Sequence, residues 1–141
     1  AMEPKPPRAG NIPIWIGGTK SLSLKRVVEL GDGWMAMNAP GDGPLPARIQ
    51  QLHDYADAAG RDPASIGMQM SLSPDALNKD ESKRFYADPD LLRRRVAEIR
   101  DLGFDHTAID CVPIFQLGYR TSDALIDHLG VIHDALRAEI G

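Results

Sequence analysis

The 141 residues fall within the usual size of one domain, and 43% hydrophobic with 26% charged residues is the composition of a globular chain with a real core. A formal charge of -4 and a pI near 5.5 leave no basic field for nucleic acid. No apolar stretch approaches the ~20 residues that a bilayer crossing needs, which excludes a membrane span.

A Pro-rich lead-in occupies residues 1–11, where Ala1-Met2 reads as a tag remnant ahead of a start methionine or as a natural beginning. The run Ile12-Pro13-Ile14-Trp15-Ile16 is short, apolar and β-branched, and stops at Gly17-Gly18, as a buried strand with a glycine turn does. From Thr19 to Leu30, apolar residues at Leu24, Val27, Val28 and Leu30 predict a helix that Gly31 closes. Gly33 to Met37 predicts the second strand, and a Pro/Gly loop precedes a helix from Leu45 to Ala59 with Gly60 at its end.

Ile66 to Leu72 predicts the third strand. The polar stretch from Ser73 to Ala87 lacks periodicity and reads as a mobile flap or a disordered connection. Asp88-Pro89 is an N-cap with proline at the first helical position, opening a helix with Leu92, Val96, Ile99 and Leu102 inward. Within it, Arg93-Arg94-Arg95 reads as a solvated face. His106 to Val112 predicts the last strand, and Thr121 or Ser122 caps a closing helix with the stripe Leu125, Leu129, Ile132, Leu136 and Ile140.

Four strands alternating with four helices imply an α/β fold with parallel strands and right-handed crossovers, either an open doubly wound sheet or part of a βα barrel, in a single domain spanning 1–141. In a barrel the face at the strands' C-terminal ends carries the chemistry. The informative residues then lie at Gly17 to Ser21, Asn38 to Gly43, Ser71 to Asp75 and Asp110 to Tyr119.

Of these, Gly17, Gly18, Thr19, Lys20 and Ser21 put two glycines, two hydroxyls and a cation where a strand meets a helix. Glycine lets the backbone approach a ligand closely, and the N–H groups and dipole of a helix start favour an anion. The same residues also suit a plain tight turn with a Ser or Thr cap, and both readings stand. Neither the P-loop spacing nor the dinucleotide fingerprint is present.

Asp110 reads as a loop-capping carboxylate or a base at the end of the last strand. Cys111 reads as a small buried hydrophobe rather than a nucleophile. His128 and His133 are five residues apart, on different sides of a helix, and His53 and His106 add no ligand pattern, so no metal site is expected. Trp15 and Trp34 suit core packing or ring stacking, and Tyr119 and Arg120 suit a phosphate or substrate contact or plain exposure. A lone cysteine without a secretory signal points to a reducing cytoplasm.

The segments Ile12 to Thr19, Glu29-Leu30-Gly31-Asp32-Gly33-Trp34, Ala58-Ala59-Gly60-Arg61-Asp62-Pro63 and Leu102-Gly103-Phe104-Asp105 together resemble the C-terminal half of the luciferase-like monooxygenase family. The resemblance implies the later four βα units of a TIM (βα)8 barrel and an oxidoreductase or monooxygenase using FMN or coenzyme F420 on a small-molecule substrate. It also implies that Gly17, Gly18, Thr19 and Ser21 hold the cofactor phosphate, and that the earlier four units, which contribute the ring pocket, have no counterpart here. The expected partner is a second copy in a homodimer, or a chain supplying the missing half-barrel. The alternative function is a truncated, non-catalytic structural or assembly module that keeps the half-barrel fold.

Overall fold

The computed structural model describes residues 12–37, 43–74 and 79–140. They fall into two compact units, the first built from described residues up to 35 and from 43 to 67, the second from residues 36–37 and from 68 onward. Asn38 to Asp42 and residues 75–78, parts of two expected functional loops and of the flap, lie outside the described residues.

In the first unit, strand β1 (Trp15–Gly17) pairs in parallel with β2 (Gly33–Ala36), Trp15 opposite Gly33 and Ile16 opposite Trp34. Helix α1 (Ser21–Leu30) connects them and buries Leu24, Val27 and Val28 of the predicted apolar set, whereas Leu30, in the last turn, is exposed. Helix α2 (Leu45–Ala58) buries Leu52 and Ala56, and also Arg48. The first strand is shorter than expected because the N–H of Ile14 is taken by a side chain rather than by a neighbouring strand. Its N–H donates to the Asp32 carboxylate at 2.7 Å, and its C=O accepts from Asp32 and Gly33. Ile12 and Ile14 accordingly stay exposed.

One arginine fastens the end of α1. The last carbonyls of a helix have no partner within it and carry the negative end of its dipole. Arg61 Nη1 donates to the carbonyls of Val27, Val28 and Gly31 at 3.3, 2.9 and 2.7 Å. Next to it, Asp62 accepts from the Ala64 N–H and caps a one-turn 3-10 helix, Pro63–Ser65. Trp15 lies flat in this unit. A Cβ built on Gly33 would fall 2.5 Å from its ring and one on Gly67 2.6 Å, so both glycines are required by the indole above them.

In the second unit, β3 (Gly67–Ser71) pairs in parallel with β4 (His106–Ala108), Gln69 opposite His106. Asp105 locks the start of this pair. Its carboxylate accepts from the Met68 N–H at 2.9 Å, while its own N–H donates to the Met68 C=O at 3.1 Å. Helix α4 (Pro89–Asp101) starts as the sequence predicts, with the Asp88 side chain accepting from the N–H groups of Asp90 and Leu91. Thr121 rather than Ser122 caps α6 (Ser122–Ile140), its hydroxyl accepting from the Ala124 N–H at 3.2 Å. No described helix is long and apolar enough to cross a membrane.

Four expectations are corrected in this unit. The last strand ends at Ala108, not Val112, because Asp110 accepts from the Val112 N–H and opens helix α5 (Cys111–Gln116), whose Pro113 sits in the first turn where no N–H is missed. Cys111, expected to be buried, is therefore exposed at the start of that helix. The stretch before Asp88 contains helix α3 (Lys79–Arg84) and a 3-10 turn, Phe85–Ala87, whose Phe85 and Tyr86 are core residues, so this part is no flap. Arg95 is buried and pairs with Glu98 at 2.9 Å, while Arg93 donates to the Ala135 carbonyl of α6; only Arg94 keeps to the exposed face.

Arg61→Ala removes charge-assisted bonds to three carbonyls, and urea unfolding is expected to show a loss of about 2 kcal/mol. Burial works against ionisation of Asp105, but the hydrogen bonds from His106 and the Met68 N–H and the nearby imidazole charge outweigh it and hold the carboxyl below its ordinary range. A carboxyl lowered by folding adds stability above its unfolded pKa, and that contribution disappears as pH falls through the folded value. Between about pH 5 and pH 2, stability curves of Asp105→Asn should therefore fall less steeply than those of the parent.

Candidate functional site

The turn between β1 and α1 is the part of the chain whose residue types point most directly to a ligand. Gly18 adopts φ +131, a backbone conformation that side chains rarely tolerate, and a Cβ there would lie 2.3 Å from the Ser23 hydroxyl oxygen. Glycine at this position therefore lets the turn pack closely against Ser23 of the helix start.

The peptide linking Gly18 to Thr19 is held from below. Trp34 is fully buried, and its indole N–H, which needs an acceptor once out of water, donates to the Gly18 C=O at 3.0 Å. A trans peptide places its C=O and the next N–H on opposite edges of one plane. With the Gly18 carbonyl turned to Trp34, the Thr19 N–H faces away from the indole.

Helix α1 starts from Lys20 in extended conformation, with no side chain capping it and no acidic residue in its first turn. The Lys20 C=O accepts from Ser23 and Leu24 at 2.8 and 3.2 Å. The Ser21 hydroxyl donates to the Gln51 side-chain oxygen of α2 at 3.2 Å. Lys20 is exposed, and Gly18, Thr19, Ser21 and Ser23 are half-buried. The positive end of a ten-residue helix, three hydroxyls and an ammonium group thus collect around one turn with no carboxylate in the helix's first turn.

This donor set suits a doubly or singly charged oxyanion such as a phosphate ester. All five residues singled out in the sequence lie along this turn. Sequence reading missed Ser23, Gln51, Trp34 as a backbone anchor, and Arg48. Arg48 is 3% exposed and lies three residues before Gln51, on the same face of α2. The available signal for Ser23 was a third hydroxyl at helical spacing after the glycines; for Arg48 there was none beyond a cation within an apolar stripe.

The remaining candidates belong to the second unit and do structural work there. Asp110 caps α5. Tyr119 stacks on His128, ring centroids 4.1 Å apart, and the buried His128 places its Nε2 2.7 Å from the Tyr86 C=O. The Tyr86 hydroxyl in turn bonds the Leu72 C=O and accepts from the Asp110 N–H. Arg120 lies over the Phe115 ring. His133 is exposed, on a different side of α6 from His128. Among the described residues, no three His, Cys, Asp or Glu side chains gather as a metal-ligand set.

No family model matches the sequence. Among solved structures, the chain is similar to an F420-dependent secondary alcohol dehydrogenase in complex with an F420-acetone adduct, at 15% identity and TM-score 0.52, over 72% of this chain and 43% of that one. A coenzyme F420 dependent tetrahydromethanopterin reductase from Methanopyrus kandleri matches at 13% identity and TM-score 0.49, over 70% of this chain and 44% of that one. The chain thus spans less than half the length of the structures it matches. The first likeness shows the fold alone, part of a βα barrel with parallel strands, which is the fold that the sequence resemblance implied.

Replacing Gly18 by alanine should be costlier than replacing Gly60, which also has positive φ but has nothing within 4 Å of an added Cβ. Left-handed strain alone costs about 1–2 kcal/mol, and only Gly18→Ala adds the clash with Ser23. Trp34→Phe, which keeps an aromatic ring and deletes the donor, should lose about 2 kcal/mol in urea unfolding by stranding the Gly18 carbonyl.

Proposed function

We propose that the chain is the later half-barrel of an F420-dependent oxidoreductase and that the turn from Gly17 to Ser21 binds the phosphate of the cofactor. The observation that carries this reading is the Gly18 turn itself: a positive φ, a close approach of Ser23 that only glycine admits, and a carbonyl held by Trp34 ahead of the start of α1. In this reading the Thr19 N–H, the α1 start and the hydroxyls of Thr19 and Ser23 hold the phosphate oxygens, Lys20 adds a mobile positive charge, and Ser21 orients the turn through Gln51.

F420 is favoured over FMN because the solved structure that shares this fold at TM-score 0.52 is F420-dependent. Bound F420 supplies hydride-transfer chemistry; this chain's residues contribute binding and orientation. The substrate is a small molecule held with residues beyond this half of the fold. A structural module without turnover is the competing reading.

Fluorescence titration with F420, FMN and inorganic phosphate tests the site. F420 should bind more tightly than FMN, inorganic phosphate should compete with it, and Gly18→Asp, which places a carboxylate among the donors, should weaken it by at least about tenfold. Thr19→Val should weaken it less. Absence of F420 binding, or indifference of that binding to Gly18→Asp, would leave the module reading in place.

A further inference from the structure

Where α4 ends and β4 begins, the second unit holds a cavity of about 370 Å3. Small-molecule sites of this size pair an apolar floor with a few placed polar groups. Val96, Ile99 and Phe104 form the floor and are only 7%, 1% and 6% exposed, so packing within this unit closes the apolar wall and does not leave it as an open face. Arg100, Asp105, His106 and Thr107 line the same cavity and are exposed, which makes them its polar rim.

The rim carries both signs of charge. Asp105 accepts from the Met68 N–H at 2.9 Å and lies 2.7 Å from His106 Nδ1. Both partners take Oδ1, so the carboxylate is fixed in rotation and its Oδ2 can accept from a ligand. The negative end of the α4 dipole adds to Asp105 in favouring a ligand cation at this end of the helix. Arg100 supplies the opposite charge. Its Nε lies 3.8 Å from the Asp101 carboxylate, but both side chains are exposed, and a pair so wetted contributes little and yields to a better placed carboxylate. A planar guanidinium binds a carboxylate through two parallel bonds.

We infer that this cavity binds a free α-amino acid with an apolar side chain, its carboxylate on Arg100, its ammonium group on Asp105 and its side chain against Val96, Ile99 and Phe104. A ligand of single charge would leave one sign of the rim unmatched, and the Asp105 carboxylate disfavours a phosphate. The volume corresponds to roughly twelve water molecules, room for a leucine-sized molecule and too little for a peptide of several residues. All of these residues belong to the second unit, so the inference stands apart from the cofactor turn.

Isothermal titration calorimetry on the whole chain tests this, with circular dichroism to verify the folding of each variant. L-Leucine should bind with a dissociation constant below about 1 mM. 4-Methylpentanoate lacks the ammonium group, isopentylamine lacks the carboxylate and glycine lacks the apolar body; each should bind at least about tenfold more weakly. Arg100→Met, which keeps the stem and deletes the charge, should weaken leucine at least about tenfold, whereas Arg94→Met, on the exposed face of the same helix, should not. Asp105→Asn, which retains an acceptor for the Met68 N–H, should weaken it likewise; if that variant fails to fold, Arg100→Met at its exposed position decides. Absence of leucine binding, equal binding of glycine or of either singly charged analogue, or equal sensitivity to Arg100→Met and Arg94→Met would overturn the inference.

Discussion

A buried indole must place its N–H on an acceptor, and in this chain the acceptor is the carbonyl of Gly18. That bond sets the orientation of the peptide ahead of α1, beside a glycine at positive φ. The arrangement costs conformational freedom at one glycine. In return the core holds the turn between β1 and α1 in one orientation.

The short motifs on which the family resemblance rests each have a local physical task. In the run from Glu29 to Trp34, Gly31 ends α1, Asp32 holds the Ile14 amide, Gly33 admits the Trp15 ring and Trp34 anchors Gly18. In the run from Ala58 to Pro63, Gly60 takes a positive φ, Arg61 satisfies the carbonyls at the end of α1 and Asp62 caps the next turn. Both runs stabilise the helix that opens at the candidate site. The motifs are thus scaffolding for the turn.

Local chemistry made much of this legible. The left-handed closures at Gly60 and Gly103, the Asp88-Pro89 start and the stripe of α4 depend on neighbours in sequence and stand where the residues indicate, whereas Gly31 ends α1 in extended conformation. What failed depends on neighbours in space. Arg95 reads as solvated until Glu98 pairs with it and the α4 packing encloses it. Tyr86 sits in a polar stretch, yet its hydroxyl links the end of β3 to the start of α5, and its carbonyl meets the buried His128. Helix α5 was hidden because Val112-Pro113 looks extended, although Asp110 and a first-turn proline were the signs of a helix start. At the candidate site the glycines and hydroxyls were readable, whereas Gln51 and Trp34 joined them only through folding.

Trp15 spreads over Gly33 and Gly67, residues on two different strands, so three positions far apart in sequence share one volume. Such an arrangement constrains the order in which changes accumulate. A side chain at either glycine is admissible only after the indole has shrunk, and loss of the indole leaves a vacancy that either glycine position can refill. Relatives descending by single replacements should therefore pass through the smaller ring first, and tryptophan paired with alanine at either glycine should be a combination that selection removes.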